Sequence, residues 1–289
     1  MKKRFLYFLA CNLLVNVINT NAVEYNHLYK PILETYGSNN LAEQPPFQGG
    51  YINFGYWKGI FDSNKSYITI DDRIKASFAL YKLIIDNLNI ESKDRVLEVG
   101  CGLGYGCKYV AENYHISNLT CIDITPQQIE RAKTIHKQLS NNINFEVSSA
   151  DSTNKPSGSY SKIYSVEAAQ YFPSMSNFAK EAFRLLEPNG RLVLTAHFST
   201  NQKGYEATKR LLPTVAQDID RMIPISEVRQ AFKEAGFHEL KIESIGQYVF
   251  QAFDQWISQV EDAPWAQNIY KLYLDGHIDY YVLVLQKSR

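Results

Sequence analysis

The chain has 289 residues, and its 30 lysines and arginines balance 30 aspartates and glutamates. That length buries a substantial core without needing a second independent domain. Even charge, with no block of one sign, leaves no basic footprint for a phosphate backbone, so nucleic acid is excluded as an expected partner. The 20 tyrosines and 15 phenylalanines can line an apolar ligand pocket or simply fill a core.

Residues 1–22 open with the cationic Met1–Arg4, run apolar from Phe5 to Ile18 with breaks at Asn12 and Asn16, and reach small residues at Thr20–Ala22. They read as a signal-peptide-like segment or as an accessory hydrophobic helix packed on the core. The apolar run is shorter than the roughly 20 residues of a membrane span, although membrane contact through it stays open. Cys11, Cys101, Cys107 and Cys121 show no disulfide spacing, which argues against export. No metal is expected, and the folded domain is expected over 23–289.

From there the chain alternates helix and strand patterns. Ile74, Phe78, Tyr81, Ile85 and Leu88 recur at helical spacing and predict a helix before the first strand. Strands are predicted at 95–100, 119–124, 143–150, 162–168 and 191–198, each rich in β-branched, leucine and aromatic residues. Thr125, Pro126 and Gln128 have the pattern of a capping box opening a helix to about Leu139. Phe178, Ala182 and Leu185 mark another helix, closed by Pro188 and Gly190. A helix over 226–237 ends at Gly236, a strand follows near 238–245, and 278–287 is the last strand. The fold class is α/β: a doubly wound, mostly parallel, Rossmann-like sheet of about seven strands, with N-terminal helices. Insertions at about 199–224 and 247–277, the latter with an amphipathic stretch at Val249, Phe253, Trp256 and Val260, predict a small helical cap.

At the end of the first strand stands "EVGCGLGYG", residues 98–106. A dinucleotide-binding loop needs G-x-G-x-x-G, but the sixth position is Tyr105 from Gly100 and Cys107 from Gly102. Glu98 followed by Gly100, Gly102 and Gly104 instead resembles motif I of the class I S-adenosylmethionine-dependent methyltransferases, and the elements follow that family's order. The resemblance implies S-adenosylmethionine as cofactor, with the glycines admitting its methionyl part and Asp123 accepting both ribose hydroxyls. It also implies that Ala150 and Asp151 flank the adenine and that Glu167 lies between cofactor and substrate. "QGGYINFGYW", residues 48–57, resembles the aromatic segment over the cofactor in a small-molecule branch that includes natural-product O-methyltransferases and sarcosine and dimethylglycine methyltransferases. This implies that Tyr51 and Trp57, and less directly Tyr56, cover the sulfonium, where a π-face is favourable. For Tyr51, Tyr56 and Trp57 plain core packing is the alternative.

Methyl transfer from a sulfonium is an in-line displacement that needs positioning and exclusion of water. His197, ending the fifth strand, is the candidate base, with a structural histidine as the alternative. Gln170 and Tyr171 stand where related sugar O-methyltransferases carry a histidine after the fourth strand. The expected activity is methylation of an O, N or C atom of a small, partly apolar acceptor. Methylation or cyclopropanation of lipid acyl chains, a non-catalytic S-adenosylmethionine-binding protein and, last, an NAD-binding oxidoreductase are the alternatives. Cofactor supply favours the cytoplasm, and the sequence is silent on oligomeric state.

Overall fold

The computed structural model describes residues 29–37, 40–64, 66–116 and 118–288. The signal-like segment and Cys11 lie outside them. Seven strands form one sheet: β1 (Arg95–Val99), β2 (Asn118–Asp123), β3 (Ile143–Val147), β4 (Tyr160–Val166), β5 (Leu186–Ser199), β6 (Phe237–Ser244) and β7 (Ile278–Lys287). Their order is β3-β2-β1-β4-β5-β7-β6. Strands β1 to β5 pair in parallel, and β7 runs antiparallel to both β5 and β6. The expected doubly wound sheet is therefore present. Its order reverses direction at β1, between β2 and β4, which opens a crevice at the carboxyl ends of the central strands.

Strand alternation divides the core between two faces. Val96, Cys121 and Tyr164 pack beneath α2 (Ile70–Leu88), α3 (Tyr105–Tyr114) and α4 (Pro126–Ile135), whereas Leu97, Val99 and Ile163 face α5 (Met175–Leu185) and α8 (Ile225–Ala235). A helical segment at 29–37, here α1, precedes them. Thr69 and Asp72 cap α2 reciprocally. The buried stripe of α2 includes Ala76, Leu80, Ile84 and Leu88 but also Arg73 and Ser77, so the helix carries a polar device toward the core beside its apolar one.

Three sequence expectations need correction. Thr125 makes no side-chain cap bond to α4, which ends at Ile135 and continues as a 3₁₀ turn at Lys137–Leu139. Gln128 is buried against the crevice instead of reaching back to the cap, because the Thr125 amide is already committed to Asp123 Oδ1. The Pro188 and Gly190 segment is not merely a stop: Leu186 pairs with Tyr160, so β5 begins directly after α5. Third, Cys107 and Cys121, 14 positions apart in sequence, are paired as a disulfide with Cα atoms 6.6 Å apart. Packing of α3 on β2 brings them together, which sequence spacing alone cannot reveal.

The two irregular stretches hold helices. Residues 199–224 carry α6 (Gln202–Leu211) and the short α7 (Pro213–Ala216), and residues 247–277 carry α9 (Phe250–Val260) and α10 (Pro264–Leu274). α10 packs against both α6 and α9. Among the described residues no helix is long and apolar enough to cross a membrane.

Candidate active site

The glycine loop is shaped by what surrounds it. Gly100, Gly102 and Gly104 have φ of +76°, +50° and +76°, the left-handed region that disfavours any side chain. A Cβ on Gly100 would lie 2.3 Å from Ala168 Cβ, and one on Gly104 would lie 2.5 Å from the Phe145 ring. A Cβ on Gly102 would meet no protein atom within 4 Å. Packing therefore accounts for two glycines, and the third leaves open space in the crevice. The Gly100 and Cys101 amides both donate to the Ile122 carbonyl, at 2.8 and 3.0 Å, which ties the loop to the end of β2. α3 starts immediately afterwards, with its free amide end at the crevice.

Asp123 closes the loop from the other side. Its Oδ2 accepts the Gly102 amide at 2.9 Å and its Oδ1 accepts the Thr125 amide at 2.9 Å. Burial raises its pKa, and these two amides oppose the rise. Each oxygen retains acceptor capacity, as a pair of ribose hydroxyls requires.

These elements bound a cleft whose non-atom space, open solvent included, is about 850 Å³. Gly100, Gly102, Asp123, Gln128, Ala150 and Glu167 lie on its wall. The aromatic lining comes from Tyr29 and Tyr36 of α1 together with Tyr51, Tyr81, Tyr105, Tyr171 and Phe172. α1 is latched over the cleft. Tyr29 donates to Asp151 Oδ1 at 2.9 Å, and Arg131 donates to the carbonyls of Tyr36 and Gly37, both at 3.1 Å. Tyr36 also meets Tyr171 edge-on, with ring centroids 5.4 Å apart.

The aromatic segment before α2 is held by a buried cation. Arg73 is fully buried; its Nε donates to Pro46 O at 3.1 Å, its Nη2 to Asn53 O at 2.5 Å, and its Nη1 to Ser77 Oγ. Burial lowers its pKa to about 10, and the neighbouring Glu167 carboxylate resists that fall.

Glu167 is the most constrained side chain of the site. It directly follows β4 with φ +48°, an uncommon conformation for a residue other than glycine. Its own amide donates to Thr195 O at 2.8 Å. Its Oε1 accepts the Phe54 amide at 2.7 Å and the Tyr280 hydroxyl. Burial pushes its pKa up to about 7, against the Tyr280 and Phe54 hydrogen bonds and the charge of Arg73.

The remaining sequence candidates divide. Tyr51, Tyr171 and Ala150 line the cleft as expected. Trp57 does not: it is 1 % exposed and its indole donates to Phe54 O within the core, while Tyr56 packs edge-on to Tyr248. Glu98 also leaves the cleft. Its register partners Cys121 and Tyr164 share its face beneath α3, and Tyr164 donates to its Oε2 at 2.8 Å. Burial pushes its pKa up to about 8. Glu98 and the paired Cys107 and Cys121 sulfurs cluster within 4.8 Å, but the disulfide occupies both thiols. Asp151 serves the α1 latch beside Ala150 and is not on the cleft wall.

His197 is buried and stacked on Phe54 with centroids 5.2 Å apart; burial holds its pKa down to about 4, and it is not on the cleft wall. Gln170 is buried too, donating to the Glu167 carbonyl at 3.0 Å. Neither is placed to act as a base there. Tyr29, Tyr36, Arg73, Gln128 and Tyr280 were not singled out as site residues from sequence, because each gains its place by tertiary contact.

A seven-stranded sheet reversing at β1, a left-handed glycine loop open only at Gly102 and an acid ending β2 define a class I S-adenosylmethionine-dependent methyltransferase. Comparison with known proteins agrees. The profile of a methyltransferase domain matches residues 97–194. The chain is similar to erythromycin 3''-O-methyltransferase of Saccharopolyspora erythraea, 24% identical over 245 residues, 78% of this chain and 74% of that one. Its fold is like that of geranyl diphosphate C-methyltransferase from Streptomyces coelicolor, solved with S-adenosyl-L-homocysteine, at TM-score 0.75 and 13% identity over 90% of this chain and 98% of that one. The [4+2]-cyclase SpnF is also similar in fold, at TM-score 0.65 and 20% identity over 92% and 94% of the two chains. The methyltransferase-domain match and the named relatives support a class I S-adenosylmethionine-dependent methyltransferase, with S-adenosylmethionine as its cofactor. The open cradle at Gly102, the α3 amide end and the acceptor capacity of Asp123 fit that cofactor.

Proposed function

We propose that the chain transfers a methyl group to an O, N or C atom of a small, partly apolar acceptor, with Glu167 as the group that takes the acceptor's proton. When bound, S-adenosylmethionine supplies an electrophilic methyl group on a sulfonium. What this chain supplies is position, enclosure and a proton acceptor.

One observation carries the reading. Glu167 Oε1 is occupied by Phe54 and Tyr280, while Oε2 has no protein donor among the described residues and Glu167 lies on the cleft wall. A carboxylate held by one oxygen and free at the other, with its pKa near 7, is matched to accepting a proton at neutral pH. Tyr29, Ile32 and Tyr36 of α1 line the cleft, where they would limit water around the reacting atoms. The tyrosine-rich wall supports an acceptor with apolar surface, and the 3''-O-methylating relative supports a small molecule. Because the same fold also carries a [4+2]-cyclase, binding of the cofactor is not a sufficient test.

The test is transfer itself. The protein is incubated with methyl-labelled S-adenosylmethionine and panels of hydroxylated, amine and alkene-bearing metabolites, and label in the product is measured beside Glu167→Gln. Transfer to at least one class, lost in the variant, is expected. Binding without transfer to any class would contradict the reading.

A further inference from the structure

We propose that Tyr280, at the antiparallel strand β7, is a positioning residue that sets the orientation and basicity of Glu167. The inference rests on the reading of Glu167 as the cleft's proton acceptor. The geometry is direct: the Tyr280 hydroxyl donates to Glu167 Oε1, and both side chains are buried. Tyr280 is pinned in turn by its strand, since Tyr280 pairs with His197 across β5–β7 and its carbonyl accepts the Ile245 amide at 2.8 Å. The bond takes up one carboxylate oxygen and turns the other to the cleft. It is also made to the ionised form, which favours ionisation against burial.

The groups around Glu167 come from every neighbouring element: Arg73 and Tyr81 from α2, Tyr36 from α1, Tyr171 from the 3₁₀ turn after β4 and Asp220 from the loop after α7. His197 of β5 packs against Tyr280, with centroids 6.1 Å apart. Arg73 already serves the Pro46 and Asn53 carbonyls. Tyr280 is therefore the side-chain donor that acts on Glu167 by direct hydrogen bond.

The test needs no acceptor. S-adenosylmethionine carries a sulfonium charge and S-adenosylhomocysteine does not, and the sulfonium also acidifies the ligand's own α-amino group. Glu167→Gln keeps that ligand titration, so the ratio of the two affinities, taken relative to the same ratio in Glu167→Gln, reports the charge of the Glu167 carboxylate on the cleft wall. Calorimetric titration of the full chain with both ligands between pH 5.5 and 9 should show preference for the sulfonium rising several-fold, with a midpoint near 7. In Tyr280→Phe the midpoint should move up by about one pH unit, as expected for one lost hydrogen bond to a charged group. Incorporation of 3,5-difluorotyrosine at position 280, a stronger donor of the same shape, should move it down, and keeps the test available if the phenylalanine variant does not fold. Glu167→Gln should leave only the ligands' own titration, unaffected by changes at position 280. A midpoint unmoved by either change at position 280, while wild type and Glu167→Gln differ in pH dependence, overturns the role of Tyr280 alone. A wild-type ratio that follows the Glu167→Gln ratio at every pH overturns the reading of Glu167 beneath it.

Discussion

Replacing Gly102 by alanine separates conformational need from room for a ligand. At φ +50° an alanine is strained by about 1–2 kcal/mol, but its methyl would meet no protein atom within 4 Å. For a domain of this size that strain corresponds to a fall in Tm of about 2–8 °C, and the protein should remain folded. The methyl instead projects into the space that the loop leaves for the cofactor. If that overlap costs about 1.5–3 kcal/mol, as overpacking commonly does, affinity falls by about 10- to 100-fold. Gly100→Ala is the contrasting variant: similar backbone strain, plus a Cβ 2.3 Å from Ala168 Cβ. It should lose about 2–5 kcal/mol of stability. Denaturant unfolding and calorimetric titration with S-adenosylhomocysteine read the two effects separately. A Gly102→Ala protein that binds as tightly as wild type would refute the placement of the ligand against this glycine.

Two further predictions concern pH. Burial opposes ionisation of Glu181, but Arg184 and the Thr153 hydroxyl and amide overcome it and hold the carboxyl at about 2. Its contribution to stability is present above about pH 4.5 and lost as pH falls toward 2. After discounting for solvent screening, Glu181→Gln should cost about 1–2 kcal/mol at pH 7, with most of the difference gone in melts near pH 2. His197 is held neutral by burial with its pKa at about 4, below the unfolded value of about 6.5. Stability should therefore fall by about 3 kcal/mol as pH drops from 6.5 through 4, and His197→Gln should remove that part of the acid sensitivity. The same variant should leave the pH dependence of cofactor preference unchanged between 6 and 8; a shift there would restore His197 as a site residue.

Much of this was legible because it is local. The strands carry their own β-branched runs, Gly236 stops α8 in the left-handed conformation, and the spacing from Gly100 to Asp123 predicts both loop and acid. The cleft is less legible because it is assembled from distant segments. Arg73 reads as a polar interruption in the α2 stripe until Pro46 and Asn53 are folded onto it. Tyr280 is one of several aromatics in an alternating strand, and only the pairing of β7 beside β5 brings it to Glu167. His197 and Trp57 failed for the complementary reason: both types are common at active sites, and here both pack in the core. Glu98 follows motif I in position, yet strand alternation turns it beneath α3 with Tyr164.

The central claim is that the glycine loop and Asp123 form the S-adenosylmethionine site. Calorimetric titration of wild type, Asp123→Asn and Asp123→Ala with S-adenosylmethionine, beside NAD, tests it most directly. The account predicts binding by wild type, at least tenfold weaker binding by Asp123→Ala with Asp123→Asn between them, and no preference for NAD. Wild-type affinity retained in folded Asp123→Ala, or tighter binding of NAD, would contradict it.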